Sequence, residues 1–469
     1  MSKYLYGASV QGIQEFIFKT NQLQEIVGAS EIVKSLEQEF IDFAKLPQDN
    51  ILLNAAGNIK AIFDDKAKLE KVISEFPKLI MQKAYGITIS QAVVNMEGEF
   101  SEQKEAIKEL EKRLKIQRNK PSIPLDMNIN IMKLAQKTAR PLFAIDKNSN
   151  ELDLSSFLKR IANTEFYEKN PRNREFINIA DFSNGKGKIA IVHADGNGLG
   201  QLIPNIQMPL SEFSKKLDVA TRKAFNEARD ETMDIREVVL GGDDLTIICN
   251  ANNALEFTRR FLANFEKETK ELSNGGLTAC AGIAYCNQKY PFHYAVSLAE
   301  ALCSATKKHA KELVKDTNNP APSSLMFHNI QSSNFQSWEK FIADELTITN
   351  DQEEIRCDFG PYYLSQDGQP SIEDFENTVK AYRQDGSPIS RLREWMGELS
   401  KSKQYSENLL ARINEMIKAN SKWKCEIMDN NLKKINPQLC NQELIIDKDG
   451  CRKTPIYDVL QILSVAEAN

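Results

Sequence analysis

The sequence predicts an α+β protein: a β-α-β-β-α-β unit present twice, then an α-helical C-terminal domain. Three observations point there. Short apolar runs and longer amphipathic stretches succeed one another in the same order twice. In both copies a glycine-containing turn joins the two middle strands. Residues 350–368, polar and rich in turn residues, separate the second copy from the last helices.

The elements follow in order. Residues 4–8 read as a strand and 13–36 as a helix broken near Gly28. Residues 51–54 and 59–63 are strands flanking the turn Ala55-Ala56-Gly57-Asn58. A helix over 65–85 and a strand over 87–94 complete the first copy. The second opens with KIAIVH (188–193), a buried strand, and the turn cluster Asp195-Gly196-Asn197-Gly198. Residues 211–229 are helical, with Ser211 as cap. Residues 237–240 and 245–249 form a hairpin around Gly241-Gly242-Asp243-Asp244. Helix, strand and helix follow over 254–272, 277–285 and 294–313. Residues 350–368 read as a loop before the last helices.

The β-α-β-β-α-β order is the ferredoxin-like unit, the core of palm-type polymerases and cyclases. The expected domains are a degenerate palm (1–97), a partly helical connection (98–186), a second palm (187–333) and a helical domain (334–469). The copies align without gaps at two places. ASVQGIQ (8–14) lies over ADGNGLG (194–200), and NAAGNI (54–59) over LGGDDL (240–245). Ser9 then takes the place of Asp195, Gly57 that of Asp243, and Asn58 that of Asp244. The first copy has the scaffold without the acids.

The acids suggest chemistry. Phosphoryl transfer to a hydroxyl needs charge neutralised on the attacked phosphate and the attacking oxygen held in line. Two divalent metals roughly 3.5–4 Å apart do both, and carboxylates hold them. A carboxylate ending one strand beside an acidic hairpin on its neighbour offers such ligands. Asp195, Asp243 and Asp244 are therefore the candidate catalytic and metal-binding residues. Gly241 and Gly242 would let the hairpin accept positive φ and approach a nucleotide closely. Gly196, Asn197 and Gly198, placed before a helix, would turn backbone N–H groups toward a triphosphate. Alone, GGDD is more often a surface turn. The strand-ending Asp195 and the duplicated frame favour the metal.

Bulk composition narrows the classes. Hydrophobic residues make up 41% and charged residues 27%, a globular balance. No apolar run is long enough to span a membrane, and the N-terminus lacks a signal-peptide layout, so a cytoplasmic protein is expected. The eight cysteines form no CxxC pair. A net charge of −5 argues against coating nucleic acid through bulk charge. The basic stretch 104–120 reads as a solvated helix face.

Residues 189–311 resemble the catalytic palm of the large subunit of type III CRISPR effector complexes and, more distantly, the GGDEF-type diguanylate cyclases. The strings that carry this are AIVHADGNGLGQLI, VVLGGDDLTII and LTACAGIAYCNQKYPFHYAVSLAEALCSATKK. GASVQGIQEFIFKTNQLQEIVGASEIVKSL resembles that subunit's first palm, and SSLMFHNIQSS the strand closing its second. SPISRLREWMGELSKSKQYSENLL and TPIYDVLQILS resemble its C-terminal helical domain. The resemblance implies polymerisation of ATP into cyclic oligoadenylate messengers with Mg²⁺ or Mn²⁺, in antiviral defence. It implies a donor ATP at the acidic palm and an acceptor on the degenerate one. Asp195, Asp243 and Asp244 carry over as metal ligands, and Gly241 and Gly242 as nucleotide-approach positions. Lys307 or Lys308 would contact phosphate, although strict register puts Thr306 at the family's lysine and a surface lysine is an equal reading. Ser9 and Gln11 would touch the acceptor, or form an ordinary strand-to-helix turn.

The implied partners are nucleoside triphosphates, guide or target RNA and other effector subunits; a homodimer stays open, and no membrane is implied. The chain departs from the family pattern in two ways. It has no His-Asp dipeptide, so cleavage of single-stranded DNA by a His-Asp nuclease domain is not expected. The connection between the palms has no cysteine, where a zinc insert is usual. A reduced relative follows, either a CRISPR subunit or a standalone cyclase. A cyclic dinucleotide synthase and a non-catalytic nucleotide-binding scaffold are the alternatives. His193 reads as structural, and Trp338, Trp395 and Trp423 as core or interface anchors rather than stacking platforms.

Overall fold

A computed structural model describes residues 3–55, 57–96, 103–120, 129, 131–169, 176, 178–203, 206, 208–273, 276–314, 320–331, 337–349, 353–419 and 425–467. The chain forms two compact units, Met1–Asp181 with Leu199–Val219, and Phe182–Gly198 with Ala220–Asn469. The fold class is α+β, as expected.

In the first unit, β1 (Tyr4–Gln11) leads into α1 (Ile13–Phe18) and α2 (Leu23–Ala44). Then come β2 (Ile51–Ala55), β3 (Asn58–Phe63), α3 (Lys66–Lys83) and β4 (Thr88–Asn95). The sheet order is β2-β3-β1-β4, the ferredoxin-like arrangement. The two-residue period of β1 decides which helix covers which face. Tyr6 stacks on Phe40 of α2 at 6.1 Å, and Phe40 meets Phe76 of α3 at 5.4 Å. Leu5 looks the other way, into a cluster with Val94, Ala106, Leu110 and Leu114. The last three belong to α4 (Gln103–Arg118), which lies on this second face. A short hairpin, β5 (Ala144–Ile145) and β6 (Glu151–Leu152), precedes α5 (Leu154–Lys169), which packs along α2. The expected helix break near Gly28 falls instead between Phe18 and Leu23. Gly28 sits inside α2, where a Cβ would come within 1.7 Å of the Lys159 carbonyl oxygen on α5. The glycine serves close helix packing, not a break.

The second unit repeats the plan. Its strands are β7 (Lys188–Gly196), β8 (Ile235–Gly241), β9 (Asp244–Asn250), β10 (Ala279–Asn287) and β11 (Ser324–Asn329). Short helix α6 (Leu199–Leu202) and α7 (Leu210–Ala228) follow β7, and the boundary between the units crosses α7. The Pro209 carbonyl accepts the Glu212 and Phe213 amides, so Ser211 lies inside the helix rather than capping it. Helices α8 (Ala254–Glu268) and α9 (Phe292–Leu313) flank β10 in sequence. The core order β10-β7-β9-β8 is that of the first unit. β11 adds to it in parallel beside β10. Gly282 of β10 lets α9 lie against the sheet: a Cβ there would stand 2.0 Å from the Ala299 carbonyl oxygen.

The rest of the second unit is mostly helical. It runs α10 (Trp338–Phe341), β12 (Thr347–Thr349), β13 (Glu354–Arg356), β14 (Tyr362–Tyr363) and α11 (Ile372–Tyr382). Then come α12 (Ile389–Glu398), α13 (Lys403–Ala419), α14 (Cys425–Ile435), β15 (Ile446–Lys448), β16 (Cys451–Lys453) and α15 (Ile456–Val465). β14 joins the edge of the palm sheet beyond β11, and β12, β13, β16 and β15 form a small sheet of their own. Strands of two or three residues carry too little alternation to be read from sequence. Hence β13 and β14 fall in the stretch expected to be a loop, whose first three residues lie outside those described. Trp338 and Trp395 are buried, as expected of core anchors, whereas Trp423 lies outside the described residues. No helix among the described residues is long and apolar enough to cross a membrane.

The buried helix α15 ties this region to the palm. Gln461 Oε1 accepts from the Asn329 amide at 2.7 Å, and Asn184 Nδ2 donates to the Val465 carbonyl at 2.7 Å. Asp458, fully buried on α15, accepts from the Tyr362 hydroxyl at 2.8 Å. Burial pushes its carboxyl up to about 7.

Two outcomes follow. Gly282→Ala should lower the urea midpoint by an amount equivalent to roughly 1–3 kcal/mol, because backbone cannot yield to the added methyl; an unchanged midpoint would contradict the seat of α9. The folded Asp458 titrates above the roughly pH 4 of an unfolded aspartate, so its contribution to stability falls as pH rises from about 4 to about 7. Asp458→Asn should therefore gain on the wild type between pH 5 and pH 8 in paired urea melts.

Candidate metal centre

Asp195 is the second-last residue of β7, and Asp244 is the first of β9. The β7–β9 register pairs Ala194 with Leu245, which sets Asp195 beside Asp244. Gly241 pairs with Asp244, so Gly242 and Asp243 form a two-residue hairpin turn. Of these two, Gly242 has the positive φ, 62°, that a tight hairpin demands at its first position. One carboxylate oxygen from each of Asp195, Asp243 and Asp244 lies within 4.8 Å of the others, and all three residues are half-buried.

Packing holds the hairpin in place. Thr221 Oγ1 donates to the Gly242 carbonyl at 2.5 Å, and Arg222 Nη2 to that of Leu240 at 3.3 Å. Sequence reasoning missed both, because their partners are backbone atoms of another element. His193, two residues before Asp195, is buried with Nδ1 3.0 Å from Thr246 Oγ1. Burial pushes it down to about 4, so it is neutral and structural at neutral pH, as expected.

The electrostatics favour a cation. Burial, then the charges of Asp244 and Asp195, push Asp243 up to about 7. Burial, then Asp195, push Asp244 up to about 6, against the pull of Lys307. Lys307 Nζ donates to Asp195 Oδ2 and to the Gly196 carbonyl, each at 2.6 Å. Burial opposes its charge, yet the bond to Asp195 leaves its pKa raised. One ammonium leaves three acids under-compensated. An all-oxygen set of hard carboxylates, mutually repelling and part-buried, fits a hard divalent cation.

The remaining candidates divide. Lys307 stands at the acids, whereas its neighbour Lys308 is exposed to solvent. Asn197 is an anchor: its amide donates to the Thr278 carbonyl at 2.8 Å, and Nδ2 lies 3.2 Å from both Thr278 Oγ1 and the Ala321 carbonyl. That amide is committed and does not face a ligand, contrary to expectation. Gly196 is buried at the strand end, while Gly198 is exposed with φ 75° and open space around it. The helix after them, Leu199–Leu202, is one turn only. In the first unit, Ser9 pairs with Asn58 in the register that sets Asp195 beside Asp244. Ser9 Oγ donates to Asn58 Oδ1 at 3.1 Å, and Gln11 Nε2 to Ser9 Oγ at 3.2 Å. One group the sequence did not single out is Glu300 of α9, whose charge adds to the rise at Asp244.

Residues 188–317 match the model of the second palm domain of Cas10/Cmr2. No curated protein matches the sequence. Solved structures of the same fold include a Csm1–Csm4 cassette in complex with AMPPNP, at 13% identity and TM-score 0.55. That alignment covers 99% of this chain and 69% of the other. The same cassette with cA4 aligns at 14% identity and TM-score 0.53, over 99% of this chain and 70% of the other. Csm1 of T. onnurineus aligns at 15% identity and TM-score 0.53, with the same coverage. The chain therefore carries a Cas10-like palm.

A metal at the acids would make Asp243 a charge that is costly without it. Asp243→Asn should raise the unfolding temperature of the metal-free protein and abolish the rise that Mn²⁺ gives the wild type. Equal stabilisation of both proteins by Mn²⁺ in thermal melts would refute the centre.

Proposed function

We propose that this Cas10-like palm protein is a metal-dependent nucleotidyltransferase that joins ATP into a cyclic oligonucleotide messenger, working with other subunits of a type III CRISPR-like effector. The observation that carries the reading is the convergence of Asp195, Asp243 and Asp244 within 4.8 Å at adjoining strand ends. Support for ATP and for effector subunits as partners comes from Csm1–Csm4 cassettes of the same fold, in complex with AMPPNP and cA4.

The chemistry is a displacement at phosphorus. A 3′-hydroxyl oxygen bonds to the α-phosphorus of a triphosphate while the bond to the bridging oxygen breaks, and pyrophosphate leaves. The hydroxyl proton passes to water or to a carboxylate. Bound Mg²⁺ or Mn²⁺ supplies charge neutralisation at the α-phosphate and lowers the pKa of the attacking hydroxyl. Asp195, Asp243 and Asp244 would hold it. Lys307, already beside Asp195, would meet a phosphate oxygen. The half-exposed Gly241 and Gly242 keep side chains out of the nucleotide's way. In the first unit, Ser9 and Asn58 bond to each other where the second unit has acids, which suits binding without metal chemistry.

Purified protein should be incubated with each nucleoside triphosphate and Mg²⁺ or Mn²⁺, with and without target RNA, and the products weighed by mass spectrometry. Cyclic adenylates are expected, with loss of at least 100-fold in Asp243→Ala or Asp244→Ala, on the order of 3 kcal/mol in the barrier. A cyclic dinucleotide mass would redirect the reading to that class of synthase. No product under any condition would leave a nucleotide-binding scaffold.

A further inference from the structure

The tip of the β8–β9 hairpin sets where Asp243 stands, and its sequence leaves that tip two conformations. Gly242 and Asp243 are the central residues of the turn, between the paired Gly241 and Asp244. Gly242 has φ 62°, and Asp243 takes no positive φ. That is the type II′ pattern, whereas type I′ needs positive φ at both central residues. The two turns differ in the orientation of the peptide that joins those residues, here Gly242–Asp243. Gly242, without a Cβ, accepts either orientation. Aspartate tolerates positive φ, so Asp243 does not exclude the other turn. The flip changes φ of the second residue by roughly 170° and so re-aims its side chain.

Steric contact does not make the choice. A Cβ on Gly242 would meet nothing within 4 Å. Arg222 reaches the Leu240 carbonyl, before the turn begins, and fixes the strand rather than the tip. A hydroxyl reaches the tip itself. Thr221 Oγ1 of α7 donates to the Gly242 carbonyl at 2.5 Å, and that carbonyl belongs to the peptide that distinguishes the two turns. Thr221 is fully buried, so the packing of α7 aims its hydroxyl.

The copy without acids closes its turn differently. There Ala55 pairs with Asn58, and Gly57, directly before Asn58, has φ 74°. The Gly57 carbonyl accepts from the Val10 amide of β1 at 2.8 Å. Backbone holds the turn that has no acids to aim, and a helix side chain holds the turn that does.

We propose that Thr221 is a positioning residue of the metal centre. Its hydroxyl fixes the Gly242–Asp243 peptide and so keeps the Asp243 carboxylate in the set whose oxygens lie within 4.8 Å of one another. The inference rests on the metal-binding reading of the three acids. It extends that reading to a residue that touches neither metal nor nucleotide.

The test is Mn²⁺ binding to the full chain without nucleotide, followed by the electron paramagnetic resonance of free Mn²⁺. Hydrogen exchange of the hairpin in the metal-free protein is measured alongside. Thr221→Val keeps the branched shape and removes the donor. It should bind Mn²⁺ about tenfold more weakly than wild type, and its hairpin amides should exchange faster without metal. Thr221→Ser keeps the hydroxyl and should bind Mn²⁺ within about twofold of wild type. A residue that only supported the fold would lower the unfolding midpoint in both variants and leave the Mn²⁺ affinity of the folded protein unmoved. Wild-type affinity in Thr221→Val, with weak binding by Asp243→Asn, would overturn the role of Thr221 and spare the centre. Wild-type affinity in every variant, Asp243→Asn included, would overturn both.

Discussion

The second unit depends on keeping three carboxylates together that would rather part. Nothing local favours the cluster: burial and like charge raise Asp243 to about 7 and Asp244 to about 6. What enforces it is strand register. Asp195 and Asp244 end adjoining antiparallel strands, and a two-residue turn leaves Asp243 no distance to retreat. Thr221 and Arg222 pin that turn from α7 through its carbonyls. The core strands can bear the strain because they are buried along their length, with Ile189, Ile191, Leu245, Ile247 and Ile283 all inaccessible. The rigid sheet is the spring that holds the acids, and a cation is the natural release.

The first unit is the control for this argument. It has the same strand order and the same register, Ala8 opposite Ile59 where the second has Ala194 opposite Leu245. At the next pair the acids are replaced by Ser9 and Asn58, which form a hydrogen bond. The repulsion is gone, and so is the need for a counter-ion. One scaffold thus carries two chemistries, separated by a few side chains at the strand ends.

Much of this was legible in the sequence. The duplicated order, the gapless correspondence of the two turns and the three acids all follow from period and spacing. What was not legible has a common physical cause, namely partners remote in sequence. Asn197 looked like a phosphate contact because a turn before a helix usually frees its amides; Thr278, 81 residues away, claims this one. Gly28 looked like a break because glycine weakens helices; the carbonyl of Lys159 explains it. The choice between Lys307 and Lys308 could not be made from composition, since adjacent helix residues point about 100° apart and only the seat of α9 decides which faces Asp195. Glu300 gave no signal, because an acid on an amphipathic helix normally faces water.

α9 is the element on which these parts meet. Along it, Lys307 holds Asp195, and His309 Nδ1 lies 2.6 Å from the Tyr363 hydroxyl. His309 Nε2 also lies 3.4 Å from Asp449, in the turn between β15 and β16. Hydrogen bonding to His309 and the ammonium of Lys448 hold that carboxyl well below its usual range. The small C-terminal sheet is thereby tied to the same helix, two residues beyond the lysine that touches the acids. The seat of α9 on Gly282 is close: a Cβ there would meet the Ala299 carbonyl oxygen at 2.0 Å and the Cys303 nitrogen at 2.6 Å. The His309 bridge is thus where the C-terminal region meets α9, two residues from the lysine that holds Asp195.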